Sequence, residues 1–426
     1  IVVINKKALY LFFIFPALFV SDALYGGLDY FGITLPISPG IIIRGGLFFF
    51  AVFFIVKNFE ARYESLIIWS VLLLILVFPG LLIGLWFGRD PFYDLQFLLK
   101  ALYLPIVAIF LAVMFDRTRV SKDEVMAYIE YAAYFLGLTL LLSQQLGIER
   151  ATYGDYAFGN TGIYYAQNDF TLAFGLSLLA ACYKMIFIKF SLYKLLPLLA
   201  SFYACIQIGT RASLLIMLII AIVMVIALLV SKGSESKRLS TLLAKYLGFL
   251  FVVTAIGFFL YKGLQWQTEH SYQEQKINDL QSGLLPRVAL MDASYQYYIS
   301  RSDIFYFLGE GADSFHRGVA QYFPSKGDRR IVEVDLIDLG GAHGVPFTFL
   351  LYAFCFFVLF GSIRRFFQER DTVWVFVSAA TFLYIMYSLF VGHALTSAIP
   401  STLMAGFFAI YLMGSRVKLL GFYKKY

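Results

Sequence analysis

Long apolar runs follow one another along the whole chain, and short polar segments separate them. About twelve of these runs are long enough to cross a membrane as helices, because roughly 20 apolar residues span the hydrocarbon core of a bilayer. No small-residue cleavage site follows the first run, so we expect it to be retained as a helix. The pattern predicts an all-α polytopic membrane protein. The runs lie near residues 6–24, 40–57, 65–87, 96–115, 125–146, 169–188, 193–209, 212–230, 246–262, 342–361, 372–392 and 397–414.

Composition supports this fold class. Only 14% of the 426 residues are charged, whereas a soluble domain has about a quarter. A transmembrane β-barrel would instead show short segments of alternating hydrophobicity. Basic residues in a membrane protein mainly record its topology, so the net charge of +7 does not indicate a nucleic-acid partner.

Basic residues concentrate in alternate loops. Short loops rich in Lys and Arg face the cytoplasm, so the sequence predicts that both termini are cytoplasmic and that residues 263–341 lie outside. Most of the 34 Lys and Arg lie at the N-terminus, in the loops at 57–64, 116–124, 184–194, 231–245 and 362–371, and in the tail from 416.

The chain therefore divides into three parts. Residues 1–262 form the first nine spans, residues 263–341 form one large extracytoplasmic loop, and residues 342–426 form the last three spans and a basic tail. A structureless loop of this length is uncommon, so we predict helices at 271–280 and at 287–300, the second starting after a well-placed proline.

Two arginines on the predicted outer side are candidate phosphate ligands. Arg211 interrupts an apolar stretch in a turn that needs only small residues, and a guanidinium offers bidentate hydrogen bonds to phosphate. The alternative is an anchor that reaches the lipid headgroups. Arg287 follows Pro286 at a helix start, where an anion would offset the dipole; the alternative is a solvated loop side chain. Weaker candidates of this kind are Arg44, Arg301, Arg317, Lys326, Arg329 and Arg330.

Three acids and a histidine lie where the loop meets the tenth apolar run. If the segment is extended, Glu333 and Asp335 point to one face; if it is helical, Asp335 and Asp338 share a face. Either pair suits a general base or a cation site. An acid near a helix start stabilises the helix by about 0.3–1 kcal/mol, so we expect a structural role for Asp338 and chemistry from Asp335 or Glu333. His343 lies among glycines and is expected to pack against a neighbouring helix.

The sequence offers no pattern for a metal, a cofactor or a disulfide framework. The three cysteines lie inside apolar runs, which predicts buried thiols. The other histidines (His270, His316 and His393) are isolated, and no pair has the spacing of metal ligands. The chain also lacks a P-loop and a dinucleotide-binding glycine motif. We therefore expect no metal and no cofactor.

Three short motifs are similar to those of the superfamily of O-antigen polymerases and O-antigen ligases, which are bacterial envelope glycosyltransferases. The segment F-G-N-T-G at 158–162 with Q-N at 167–168 resembles a glycine-asparagine segment of that superfamily. G-T-R-A-S at 209–213 resembles its arginine turn, and L-P-R at 285–287 with G-E-G-A-D-S-F at 309–315 resembles its loop arginine and later G-x-G-x-x-S-F segment. About twelve spans with one large outer loop late in the chain are similar as well.

The loop end favours the polymerase branch. Ligases carry a His-Asn pair near this position, whereas this chain reads V-E-V-D at 332–335 and has no histidine there. Glu-x-Asp resembles the polymerases that join repeat units of O-antigen, capsule or exopolysaccharide. The first alternative is an O-antigen ligase that transfers glycan to lipid A-core. A secondary transporter or a flippase for lipid-linked oligosaccharide is the second, although carriers place polar sites at the midplane and show repeat symmetry.

The resemblance implies an inverting glycosyl transfer at the outer face of the bacterial cytoplasmic membrane. The expected partners are undecaprenyl-diphosphate-linked donor and acceptor glycans, the bilayer and a polysaccharide chain-length regulator. Arg211 and Arg287 would bind the diphosphate, and Asp335 or Glu333 would activate the acceptor hydroxyl. Secondary candidates are Arg44, Asn168, Arg301, Asp338 and His343.

Overall fold

The computed structural model describes residues 15–413 except 34, 36–37, 59–63, 87–88, 154–157, 165–166, 231–238, 269–285, 302 and 324–326. The described chain is almost entirely helical, and a hairpin of two short strands, β1 (Ala151–Tyr153) and β2 (Phe158–Asn160), joins two of the helices. The helices are α1 (Pro16–Tyr30), α2 (Pro39–Lys57), α3 (Glu64–Trp86), α4 (Pro91–Thr118), α5 (Lys122–Gln145), α6 (Gln167–Tyr183, extended by a wider turn at Lys184–Ile188), α7 (Leu192–Gln207), α8 (Arg211–Val230), α9 (Leu239–Thr268), α10 (Pro286–Ile299), α11 (Asp303–Leu308), α12 (Ala312–Ala320), α13 (Asp335–His343), α14 (Val345–Glu369), α15 (Val373–Phe390) and α16 (Ala398–Met413).

From the second run onwards, each predicted apolar run overlaps a helix, whereas residues 6–14 of the first run lie outside the described residues; the all-α polytopic class is confirmed. Seven helices of the described chain are long and apolar enough to cross a membrane, and four shorter apolar stretches lie among the others. The count of twelve crossings, the three-part division and the outer placement of the loop stay predictions. The predicted loop helix at 287–300 corresponds to α10, whereas the one at 271–280 lies outside the described residues.

The tenth run begins later than predicted. The sequence suggests a span from 342, but α13 ends at His343 and α14 begins at Val345. Gly344 separates them with a φ of 85°, a left-handed backbone that glycine adopts without strain. The histidine therefore belongs to the short helix before the span.

Helix α4 is the centre of the bundle. Its most apolar window is 89% buried, against 28% for α2, because α4 is surrounded by other helices while α2 lies at the periphery. The last helix, α16, packs along α4, and α5 packs along α6. A helix that is apolar on all sides is typical of such a central position. The three cysteines are buried free thiols, as the sequence predicts.

Hydrogen bonds tie the loop segment to the start of α4. The carboxylate of Asp94 accepts the amide of Asp313 at 2.7 Å, where Gly311 approaches too closely to carry a side chain. Arg329 bridges Asp313 (2.5 Å) and Asp90 (2.9 Å). The start of α4, the loop segment and α13 therefore lie at one end of the bundle.

The opposite end carries a different set of ion pairs. Lys122 lies 3.3 Å from Asp371 and 3.6 Å from Glu369, and the ammonium of Lys184 donates to the carbonyl of Asp123. These residues belong to the loops that the distribution of basic residues predicts to be cytoplasmic.

Cysteine labelling tests this orientation. We expect a membrane-impermeant maleimide to label Ser300→Cys in intact cells and to label Tyr193→Cys only after the cells are opened, since both positions are exposed but lie at opposite ends. The three buried native cysteines should stay unlabelled and serve as the background. Labelling of Tyr193→Cys in intact cells would reverse the orientation.

Candidate functional site

A polar cavity of about 310 Å³ lies at the loop end of the bundle. Its walls come from α4, the start of α6, the segment before α13 and the turn between α15 and α16. We call it the polar cavity. It is lined by Tyr93, Gln96, Phe97, Lys100, Asp169, Ile331, His393 and Thr396.

Lys100 and Asp169 give this cavity its charge. Lys100 lies in the central helix α4, and Asp169 lies in the first turn of α6. The two side chains attract each other electrostatically. A charge within a spanning helix is costly and usually marks a site for a substrate or an ion. These two residues are therefore the centre of the candidate site.

An adjoining cavity of about 400 Å³ shares Gln96, Lys100, Asp169 and Thr396 with the polar cavity. Its other walls are mostly apolar and come mainly from α2 and α4, with residues of α1 and the start of α16. Arg44 lines it and is paired with Asp22 at 2.8 Å. The adjoining cavity thus offers apolar surface with charged groups at one side, which suits an amphiphilic ligand.

Asp335 organises the turn that closes the polar cavity. It is the first residue of α13 and is fully buried. Its carboxylate accepts the amides of Ala394 and Leu395 and the hydroxyl of Thr396, each at 2.7 Å. The segment is helical from Asp335 onwards, so Asp335 and Asp338 share a face, which is one of the two predicted arrangements.

Asp338 is bonded in the same way to the segment before α13. Its carboxylate accepts the amides of Val332 (3.1 Å) and Glu333 (3.2 Å) and lies 3.0 Å from Nε2 of His316. The other ring nitrogen of His316 is 2.8 Å from the hydroxyl of Tyr93, which lines the polar cavity. Asp338 therefore holds the segment in place, the structural role that the sequence suggests.

His393 lies in the turn that Asp335 organises. Its Nδ1 is 3.5 Å from Asp335, 3.9 Å from Asp338 and 3.1 Å from the hydroxyl of Thr396. Burial lowers the pKa of His393, but the ion pair with Asp335 and the charge of Asp338 outweigh it and raise the pKa to about 9. The same contacts hold the pKa of Asp335 below its usual range, although burial alone would raise it. His393 is thus an imidazolium at neutral pH.

His343 has the opposite electrostatic environment. It is buried beside Phe97 and Phe347, and its Nε2 finds no hydrogen-bond partner among the described residues. Burial, with a smaller effect from His316, lowers the pKa of His343 to about 3. It is therefore a neutral side chain packed between α13 and α4.

The other predicted site residues lie apart from the polar cavity or outside the description. Arg211 is the exposed first residue of α8 and is not among the lining residues of the cavities above. Arg287 lies in the first turn of α10, but its side chain is outside the described part of the structure. Glu333 is half-buried, two residues from the lining residue Ile331, and has a left-handed φ of 65°.

The secondary candidates mainly hold the fold together. Arg301 pairs with Glu310 at 3.1 Å and stacks on the ring of Tyr297. The carbonyl of Asn168 accepts the hydroxyl of Tyr387 beside the lining residue Asp169. Among the weaker candidates, Arg317 and Arg329 both bond Asp313, and Lys326 lies outside the described residues.

None of the eight lining residues of the polar cavity is a predicted site residue, and its charged members are Lys100, Asp169 and His393. A signal existed for the first two, because each is a charge within an apolar run. His393 is isolated in the sequence, and only the fold brings it beside the two acids of α13.

A third cavity, of about 450 Å³, lies on the other side of α13. We call it the apolar cavity. Leu336, Ile337 and Gly340 of α13 face it, together with residues of α10 and α14. Helix α13 thus bonds the turn beside the polar cavity through Asp335 and presents an apolar face to the apolar cavity.

Comparison with known proteins gives one family match. The family described as O-antigen ligase like membrane protein matches residues 4–277, more than half of the chain. This region holds Arg44, Lys100, Asp169 and Arg211, whereas the loop arginine at 287 and α13 lie beyond it. A search of curated proteins found no match.

Replacement of Asp335 should destabilise the turn before α16. Asp335→Ala would leave two buried amides and one hydroxyl without an acceptor, and each such group costs about 1–3 kcal/mol. We expect the apparent melting temperature of the detergent-purified protein to fall by several degrees. Asp292→Ala, an exposed acid of α10, is the control and should change it little. Equal melting temperatures for the two variants would contradict the role given to Asp335.

Proposed function

Because the chain belongs to the O-antigen ligase-like family of membrane proteins, we propose that it is a membrane glycosyltransferase that polymerises undecaprenyl-diphosphate-linked oligosaccharide repeat units. Membership of the family makes it a multi-pass membrane enzyme of O-antigen-type glycan pathways. The polymerase activity, the lipid diphosphate and the outer face of the cytoplasmic membrane are the finer parts of our proposal.

The polar cavity is the observation that carries the proposal. A lysine and an aspartate face one cavity at the end of spanning helices, and a mostly apolar cavity adjoins it. A lipid-linked diphosphate has the matching chemistry: an apolar tail, a concentrated negative charge and a sugar that reacts beside it. The adjoining cavity would accommodate the first part of the tail, and Lys100 would lie near the diphosphate.

The transfer needs one base and several cations. The acceptor hydroxyl attacks the anomeric carbon, a new C–O bond forms, and the bond to the diphosphate oxygen breaks with inversion. The proton of the hydroxyl passes to a carboxylate, and the leaving diphosphate keeps the bonding electrons. Cations close to that oxygen lower the barrier because negative charge develops there.

Asp169 suits the role of base better than Asp335. Asp169 lines the cavity beside Lys100, whereas three hydrogen bonds engage the buried carboxylate of Asp335. Glu333 remains the second candidate. Lys100 would stabilise the leaving group. Arg211 and Arg287 stay in the proposal as further diphosphate ligands: Arg211 is exposed at the start of α8, and Arg287 lies in the first turn of α10.

The Glu-x-Asp segment at 333–335 favours polymerisation over ligation. Its acid Asp335 begins α13 and fixes the turn at 394–396, so the residues that distinguish the two branches lie beside the polar cavity. Ligation to lipid A-core and transport of a lipid-linked glycan are the rival functions. An assay with lipid-linked repeat units as the only glycan substrate separates them, because only a polymerase lengthens the chains.

Substitution of the two cavity charges tests the mechanism. Purified protein in liposomes would be incubated with undecaprenyl-diphosphate-linked repeat units, and the products would be separated on a ladder gel. We expect Asp169→Asn and Lys100→Gln each to slow chain extension by about 100-fold or more, through the loss of the base and of charge stabilisation.

The matched controls are Lys122→Gln and Asp371→Asn at the opposite end, which should extend chains at the rate of the unmodified protein. If all four variants extend chains equally, the polar cavity is not the site. If the unmodified protein leaves the chains unchanged but moves the lipid across the liposome membrane, the chain is a transporter.

The two predicted arginines are tested in the same assay. Arg211→Ala and Arg287→Ala should abolish polymer while the protein is still produced, and the Lys variants should recover only part of the rate, because an ammonium cannot bind phosphate in a bidentate way. Polymer of normal length and amount in both Ala variants would remove these arginines from the diphosphate site and leave Lys100 as the cation to examine.

A further inference from the structure

His393 is the histidine that lines the polar cavity. No motif predicts it, and the mechanism above does not use it. The turn that carries it is fixed from two sides. Asp335 accepts hydrogen bonds from the three residues that follow His393. The hydroxyls of Tyr384 and Ser401 both donate to the carbonyl of Ala394. The imidazole is therefore held on a rigid turn, as a substrate-binding group has to be.

The two ring nitrogens of His393 face different surroundings. Nδ1 is turned towards Asp335, Asp338 and Thr396, at 3.5, 3.9 and 3.1 Å. The side chain is 22% exposed and lines the polar cavity. Nε2 makes no hydrogen bond with the described residues and is not among their buried unpaired atoms. It is the nitrogen available to a ligand in the cavity.

The charge around the ring decides what that ligand is. From α13, the carboxylates of Asp335 and Asp338 face the imidazole; from α6 Asp169 adds negative charge, and from α4 Lys100 and Tyr93 line the same cavity. The acids hold His393 in its cationic form at neutral pH, so Nε2 carries a hydrogen and donates it. A cationic donor prefers an oxyanion.

We propose that His393 and Lys100 form a two-cation subsite for a phosphate oxygen of a lipid-linked substrate, with Asp335 as the residue that positions His393. The identity of the lipid in this proposal rests on the proposed function. The affinity of the subsite for a diphosphate does not. Asp335 then acts through His393, which explains how an acid with a fully engaged carboxylate still affects the substrate.

Equilibrium binding tests the subsite. The probe is radiolabelled undecaprenyl diphosphate, bound to the full-length protein in detergent between pH 7 and 9.5. The second pKa of a phosphate is about 6, so the charge of the probe changes little in this range. We expect affinity to fall as pH rises through about 9, the pKa of His393.

Three substitutions make the expectation specific. His393→Gln should weaken binding at pH 7 about tenfold, which corresponds to about 1.4 kcal/mol, and remove the fall near pH 9. His393→Lys keeps a cation and should restore most of the affinity. In Lys100→Gln the fall near pH 9 should remain, since it belongs to the histidine.

The Asp335→Asn variant shows whether Asp335 positions His393 or only stabilises the turn. Without the carboxylate, the pKa of His393 returns towards the ordinary value of 6.5, so the pH at which affinity falls should shift down by one unit or more. A lower melting temperature with an unmoved midpoint would mean that Asp335 only stabilises the turn. Thr402→Val, in α16 and facing Tyr103, is the control for a change near the turn.

The outcomes keep the two proposals apart. Unchanged affinity and an unchanged pH profile in His393→Gln would overturn the subsite, even if the protein polymerises glycan. Conversely, binding that depends on His393 in a protein that never lengthens chains would uphold the subsite and overturn the polymerase.

Discussion

Asp335 needs hydrogen-bond donors because its carboxylate is fully buried, and it finds them in a turn about sixty residues later in the chain. This requirement couples the end of the loop to the turn between the last two helices. It also sets the charge of His393, since an ionised acid beside an imidazole favours the imidazolium. Without the carboxylate, two amides and one hydroxyl of the turn lose their acceptor, and the imidazole loses its nearest carboxylate. The acid thus affects the candidate site without having to touch a substrate.

Much of the architecture could be predicted from apolar periodicity. A helix overlaps each predicted run from the second onwards, and α10 begins at Pro286 as its proline suggests. The acids at 335 and 338 converge because the segment is helical there, one of two arrangements that spacing left open. Apolar periodicity could not predict that Lys100 and Asp169 line the same cavity. Each is a single charge in an apolar run, and only the fold, which places α4, the start of α6 and the turn before α16 around one cavity, brings the two charges together.

Helix α13, at the end of the loop, has two faces of different polarity. Its acids bond the turn and the segment beside the polar cavity, while Leu336, Ile337 and Gly340 face the apolar cavity. The nine residues of α13 thus combine buried acids with an apolar face. Gly341 contacts the ring of Phe315 at a distance that leaves no room for a side chain, so α12 and α13 approach closely. The loop segment is thereby held against the bundle rather than extending away from it.

The packing of α16 against α4 has a consequence for biogenesis. Helix α4 enters the membrane early in synthesis, yet two of its cavity neighbours, His393 and Thr396, immediately precede the last helix. Until α16 is inserted, the cavity lacks one wall, and the carboxylate of Asp335 lacks its donors. A nascent or truncated chain that lacks α16 therefore has an incomplete cavity and a buried carboxylate without its hydrogen-bond donors.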